Sequence, residues 1–230
     1  QTILVVDDEK EIADLVEIHL VSDGFQVEKA NSAAEGLKIL EKKEIKLVIL
    51  DIMMPGMDGI EMCKEIRKKS AVPIIFLSAK SSDLDKIVGL GSGADDYVSK
   101  PFNPLEVVAR IKSQLRRFYD LNSSVAEESS SIISIGELEL DSSNLSVNKN
   151  GEAINLTPTE FKILSLMMKT PGKIYTKMQI FENINGDYYE SDDNTLMVHI
   201  SKIREKIEDD PKSPKYLKTV RGLGYKIEKH

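Results

Sequence analysis

The chain predicts an α/β fold, a doubly wound five-stranded parallel sheet, followed by a smaller α+β domain with a winged helix-turn-helix pattern. Three observations predict it. Four short apolar runs, Ile3–Asp8 (ILVVDD), Lys46–Asp51 (KLVILD), Pro73–Ser78 (PIIFLS) and Asp95–Lys100 (DDYVSK), each close on a polar residue. Helical patterns fill the intervals between them, and strands alternating with helices build βαβ units around a parallel sheet. After the polar stretch Asn122–Ser131 the pattern changes to short alternating strands, three helices and a terminal hairpin.

Taken in order, the first segment runs from Ile3 to about Tyr119 as five strand–helix pairs. Between Glu11 and Leu20, the residues Ile12, Leu15, Val16, His19 and Leu20 recur at helical spacing. Further helices are expected over Ala33–Leu40, Ile60–Arg67, Leu84–Leu90 and Leu105–Arg117. The expected organisation is a first domain over 1–119, a flexible linker over 120–131, rich in Ser and Glu, and a second domain over 132–230. In the second domain, ISIGELEL and LSVNKNGEAINL alternate around turn signals, among them the hairpin dipeptide Asn150–Gly151. Thr157-Pro158-Thr159-Glu160 opens a helix with an N-cap, a proline at the first helical position and a capping-box acid. A second helix follows from Thr176 to about Asn183, and a third from about Asp193 to Ile207. The hairpin YLKTVRGLGYKIE turns at Gly222–Gly224.

The 230 residues suffice for two domains with separate cores, and 41% hydrophobic with 30% charged residues is a globular composition. No apolar run approaches the roughly 20 residues that span a bilayer, and the first run breaks at Asp7, so neither a membrane span nor a signal peptide is expected. Cys63, the one cysteine, excludes an intrachain disulfide and fits a reducing cytoplasm. A net charge of −7 argues against nucleic acid as a partner of the whole chain, yet the charge is segregated: from Asp193 onward nine Lys/Arg face six Asp/Glu.

In an open parallel sheet, functional groups gather outside the carboxyl ends of the strands. Asp7, Asp8, Asp51, Ser78 and Lys100 therefore meet in one crevice. Clustered carboxylates repel, and hard oxygen ligands with room for water suit Mg²⁺. The motifs around these residues are DDE at Asp7–Glu9, DIMMPGMDG at Asp51–Gly59, LSAK at Leu77–Lys80 and GADDYVSKPF at Gly93–Phe102. Together they resemble the receiver domain of bacterial two-component response regulators, with a flavodoxin/CheY-like fold. The resemblance implies that Asp51 accepts a phosphoryl group from a sensor histidine kinase. It implies that Asp8, Asp51 and the carbonyl of Met53 hold Mg²⁺, with Asp7 acting mainly through water. Lys100 would give the phosphoryl oxygens a fixed positive charge, across a cis bond to Pro101. Ser78 would follow the arriving group and Tyr97 would swing inward behind it. The rival phosphatase of haloacid-dehalogenase type needs a second Asp two residues after its nucleophile, where this chain has Met53. A degenerate receiver would lack an acid or the lysine, and both are kept.

In the second domain, TPTEFKIL, NTLMVHISKIREKI and TVRGLGY resemble the effector domain of the OmpR/PhoB family, so the resemblance covers nearly the whole chain. It implies a transcriptional regulator rather than a conventional enzyme, active as a homodimer on double-stranded promoter DNA, in direct repeats, and in contact with RNA polymerase. The implied dimer pairs are Lys86 with Glu106, Asp96 with Arg110 and Asp95 with Arg117. The implied DNA-facing residues are Asn194, His199, Ser201, Lys202 and Arg204 on the third helix, and Thr219 and Arg221 in the wing. Met197, Val198, Ile200, Ile203 and Ile207 include the face expected to pack inward. Tyr188 and Tyr189 lie in the loop where relatives touch the polymerase. No catalytic constellation follows Ser131, and neither His199 nor His230 has a partner at metal-ligand spacing. The KPFNPLEVVARIKSQLRR stretch resembles regulators of the vancomycin-resistance type.

Overall fold

Five strands form the first sheet: β1 (Thr2–Val6), β2 (Gln26–Ala30), β3 (Leu47–Asp51), β4 (Ile74–Ser78) and β5 (Asp96–Ser99). They pair in parallel in the order β2-β1-β3-β4-β5. The order reverses direction between β1 and β3, which places the crevice between their carboxyl ends. The computed structural model describes residues 1–79, 89–120, 132–185 and 192–229, and the chain folds as two units, Gln1–Leu115 and Arg116–His230.

Helices α1 (Lys10–Ser22), α2 (Ala33–Lys42), α3 (Gly59–Arg67) and α4 (Pro104–Asp120) accompany this sheet. Both faces are covered, which is why Ile3–Val6, Leu47–Leu50 and Ile74–Leu77 are unbroken apolar runs with no exposed surface. Ser32 caps α2 by accepting from the Glu35 amide, while Glu35 reaches back to the Asn31 amide. Asp58 caps α3 in the same manner, accepting from the Glu61 amide at 2.8 Å. In α1 the buried row is Ala13, Val16 and Leu20, and Leu15 turns outward, one step off the expected face. The expected helix over Leu84–Leu90 lies outside the described residues except for its last turn, and residues 89–91 are helical. Apart from Asp120, the linker 120–131 also lies outside them.

The second unit opens with an antiparallel sheet of β6 (Ile132–Ile135), β7 (Leu138–Asp141), β8 (Ser146–Lys149) and β9 (Glu152–Ile154), in that order. Asn150 (φ 52°) and Gly151 (φ 79°) make the β8–β9 turn, both in the left-handed region that this hairpin requires. Helices α5 (Pro158–Met168), α6 (Lys177–Asn185) and α7 (Asp192–Ile207) precede the hairpin of β10 (Leu217–Val220) and β11 (Gly224–Ile227). The capping box at α5 forms as expected: Glu160 donates its amide to Thr157 Oγ1, and its carboxylate accepts from the Thr157 amide. One core joins these elements, built on Leu138, Leu164, Met167, Ile180, Ile203 and Tyr216. Tyr175 and Tyr225 exchange backbone hydrogen bonds and add a short third rung to the wing.

Candidate functional site

Asp7 follows β1, Asp51 ends β3, Ser78 ends β4 and Lys100 follows β5, so parallel register delivers all four to one edge of the sheet. Carboxylate oxygens of Asp7, Asp8 and Asp51 lie within 4.8 Å of one another. Asp7 and Asp51 are buried, whereas Asp8 is exposed at the mouth. Lys100 Nζ stands 2.9 Å from Asp7, 3.2 Å from Glu9 and 3.5 Å from Asp51. The Lys100–Pro101 bond is cis, as expected.

The electrostatics of the crevice follow from burial. Burial pushes the Asp51 carboxyl above the usual carboxylate range, and the nearby Asp7 adds to this, although Lys100 and the Met53 amide pull the other way. Burial alone would lower Lys100, but its hydrogen bond to Asp7 and the charges of Asp51 and Asp7 hold it above its ordinary value. Among the described residues, Asp51 Oδ1 is buried with no hydrogen-bond partner. A buried carboxylate oxygen without a partner is costly unless something else satisfies it. The carboxylates of Asp7, Asp8 and Asp51, with Asp8 open to solvent, fit a Mg²⁺ ion that keeps part of its water shell.

Ser78 is fully buried, and Tyr97 is 5% exposed, its ring meeting Phe76 edge to face at 6.5 Å. The tyrosine thus occupies an inward position. Gly59, which the sequence reading places at the end of a motif without a role, packs the start of α3 against the end of β3. Its amide donates to Ile52 O at 3.0 Å, and a Cβ there would stand 2.1 Å from the Asp51 carbonyl oxygen. Only glycine lets the start of α3 approach β3 this closely, and its place directly after the capping Asp58 was the available signal.

The charges expected to pair between copies find partners inside the chain. Arg110, 4% exposed, donates to both oxygens of Asp96 at 2.9 and 3.1 Å and to Glu106 at 3.0 Å. Asp95 is a correction to the sequence reading, because its side chain shows no exposed surface. Its Oδ2 accepts from Arg67 at 2.8 Å and from the Ile74 amide at 3.0 Å. The cause is position, since Asp95 lies beneath the C-terminal turn of α3, where Arg67 also donates to Gly93 O and Val72 O. Lys86 and the Arg117 side chain lie outside the described residues.

On α7 the outward face carries Met197, Val198, Ser201, Lys202 and Glu205. Two residues depart from expectation. His199 is 2% exposed, because it falls in the i, i+4 row of Thr195 and Ile203 that packs on the core. Met197, expected inside, is 44% exposed. Arg204 is half-buried and serves the wing: its guanidinium donates to Leu217 O at 2.9 and 2.8 Å and to Thr219 Oγ1 at 2.9 Å. Thr219 and Arg221 are exposed on the hairpin. The Asn194 side chain, Tyr188 and Tyr189 lie outside the described residues. Sequence reasoning also missed Glu208, a buried acid just beyond α7. Its carboxylate accepts from the amides of Lys215, Tyr216 and Leu217 at 2.6–2.9 Å.

A parallel sheet with an acidic crevice, followed by a winged helix, defines a two-part regulator, and comparison with known proteins agrees. Residues 3–112 match the family described as "Response regulator receiver domain", and residues 151–227 match "Transcriptional regulatory protein, C terminal". The chain is 46% identical to "Regulatory protein VanR" of Enterococcus faecium, over 99% of this chain and 98% of that protein. It is 42% identical to "Uncharacterized transcriptional regulatory protein YcbL" of Bacillus subtilis (strain 168), over 97% and 99% of the two chains. Among solved structures, the Thermotoga maritima response regulator DrrB, described as an OmpR/PhoB homolog, matches with a TM-score of 0.51 at 33% identity, over 99% of this chain and 98% of that one. A RitR mutant shares the fold with a TM-score of 0.78 over the full length of both chains, at 21% identity. The chain belongs to the two-component response regulators of the OmpR/PhoB type, with a receiver and a DNA-binding effector domain. This is a family of transcription regulators, not of catalytic enzymes, and no helix among the described residues is long and apolar enough to cross a membrane.

Proposed function

We propose that Asp51 takes a phosphoryl group from a phosphohistidine of a sensor histidine kinase, and that this event drives the chain to dimerise and bind promoter DNA. The observation that carries the reading is the partnerless Oδ1 of Asp51, buried among acids beside a lysine. In the transfer, an Asp51 oxygen forms a bond to phosphorus as the P–N bond to the imidazole breaks. The imidazole nitrogen keeps that electron pair and takes up a proton. Asp8, Asp51 and the Met53 carbonyl would hold Mg²⁺, with Asp7 acting through water. When bound, the ion offsets the charge of the acid cluster and of the transferring oxygens.

Lys100 is held by Asp7 and Glu9 at the height of the Asp51 oxygens, so it is already oriented for an arriving anion. Ser78 would donate its hydroxyl to the phosphoryl group, with Tyr97 filling the space behind it. An added charge of about −1.5 to −2 suffices to bias a two-state loop. Homodimerisation would use Lys86, Glu106, Asp96, Arg110 and Arg117, with the in-chain pairs of Arg110 exchanged for pairs between copies. The dimer would sit on direct repeats in the cytoplasm and meet RNA polymerase. Slow self-hydrolysis of the acyl phosphate would end the signal.

One experiment joins these steps. Labelling by a small phosphodonor should disappear in Asp51→Asn while circular dichroism stays unchanged. Light scattering with Mg²⁺ and beryllofluoride should show a monomer-to-dimer shift in the wild type alone. Labelling that persists in Asp51→Asn would reject the site, and an association state indifferent to beryllofluoride would reject the switch.

A further inference from the structure

Among the described side chains, the outward face of α7 is short of long hydrogen-bonding groups where a groove-reading helix needs them. A helix seated in the major groove presents its N-terminal half to the base edges. In that half, Met197 is 44% exposed, Val198 is half-buried and His199 has turned into the core, and Ser201, just past the midpoint, is exposed. Arg204, farther along, is tied to Leu217 O and Thr219. Lys202 is paired with Glu205 at 2.7 Å toward the side of the helix. Met197 and Ser201 are four residues apart and so lie on one line of the helix surface. Ser201 is small, so of these two residues Met197 has the longer reach from the helix surface.

A long apolar side chain on the exposed face of such a helix, beside the half-buried Val198, has one complementary feature in the major groove. That feature is the C5-methyl of thymine, the apolar mark on the floor of that groove. Methionine is unbranched and polarisable, so it can settle against such a methyl without a fixed geometry. We infer that Met197 is a specificity-determining residue that reads a thymine methyl group in the DNA site. The inference rests on the reading of α7 as the helix that enters the major groove, and it adds which base that helix selects and by what contact.

The test uses the full-length chain with Mg²⁺ and beryllofluoride, and a duplex selected by that chain from a library with a randomised centre. Each thymine of the selected duplex is replaced in turn by deoxyuridine, which removes only the methyl. For the wild type, at least one replacement should weaken binding about four-fold, the factor that follows from exposing one buried methyl. In Met197→Ala the same replacement should have no further effect, and Met197→Leu should restore the sensitivity. Sensitivity that survives undiminished in Met197→Ala, or a wild type indifferent to every replacement, would overturn the inference. Lys202→Gln separates the two layers of the argument. If it weakens binding and makes the salt dependence shallower, α7 lies against DNA, and a negative result then concerns Met197 alone. If Lys202→Gln and Met197→Ala both leave binding untouched, the docking of α7 fails and the inference goes with it.

Discussion

Gly59 shows how a single residue controls the chemistry without taking part in it. A methyl group at this position would overlap the carbonyl oxygen of Asp51 and stand 2.8 Å from the Ile52 Cα, so backbone, not a flexible side chain, would have to move. Gly59→Ala should therefore cost about 2 kcal/mol of stability, in the range of overpacked cores. It should also slow phosphoryl labelling of Asp51, because the displaced segment carries the acceptor. Urea unfolding and a labelling time course would measure both, and an alanine variant with unaltered stability would show that α3 can retreat freely. The partnerless Oδ1 of Asp51 belongs to the same scale. A ligand with positive charge, as proposed, would complete the site, whereas Lys100, 3.5 Å from the other oxygen, is already engaged by Asp7 and Glu9.

Among the elements, the wing depends on a helix end. Glu208 lies one residue beyond α7, and its carboxylate gathers three successive backbone amides at the entry to β10. Arg204 supports the same strand one turn earlier, through Leu217 O. The two side chains fix the hairpin to the helix, so α7 and the hairpin, the elements proposed to meet DNA, keep a constant spacing. Glu208→Ala leaves those amides without their acceptor and should lower the stability of the effector domain by about 3 kcal/mol. Glu208→Gln, which keeps a carbonyl acceptor, should lower it by less. Chemical unfolding of the two variants checks this, and equal losses would mean that the shape of the side chain, not its acceptor oxygens, is what matters. A second close approach assists: a Cβ at Gly224 would stand 2.0 Å from the Tyr175 carbonyl oxygen, so only glycine allows β11 to pair with the segment before α6.

At the scale of the whole molecule, the acidity of the chain and its affinity for a polyanion are reconciled by segregation. The net charge is −7, yet the residues from Asp193 onward carry nine Lys/Arg against six Asp/Glu, and the exposed Arg221 stands at the turn of the hairpin. Contacts of Lys and Arg with phosphate release counterions, so binding should fall steeply with salt. Arg221→Ala should weaken binding to all duplexes alike and make the log–log salt slope shallower by about 1. Titrations at several salt concentrations test this, and an unchanged slope would remove the wing from the phosphate contacts.

The sequence by itself determined the layout of the receiver. Runs such as ILVV and LVIL are buried on both faces and can only be central parallel strands, and the polar residues that end them must then meet at one edge. The acidic crevice, Ser78 and Lys100 were legible for this reason, as were the capping box at Thr157 and the turn at Asn150–Gly151. β2 was not tied to any motif, because an edge strand reading QVEKA is only half-covered and carries little apolar signal. Tertiary structure alone decided the partners of the charged residues. Helical periodicity cannot tell that Asp95 meets Arg67 across 28 residues or that Glu208 turns inward to cap a strand, whereas the i, i+4 row through Ile203 was a signal for the burial of His199. Local pattern reports which residues prefer water, but burial of a charge depends on which donors the fold brings beside it, and that information lies in contacts distant in sequence.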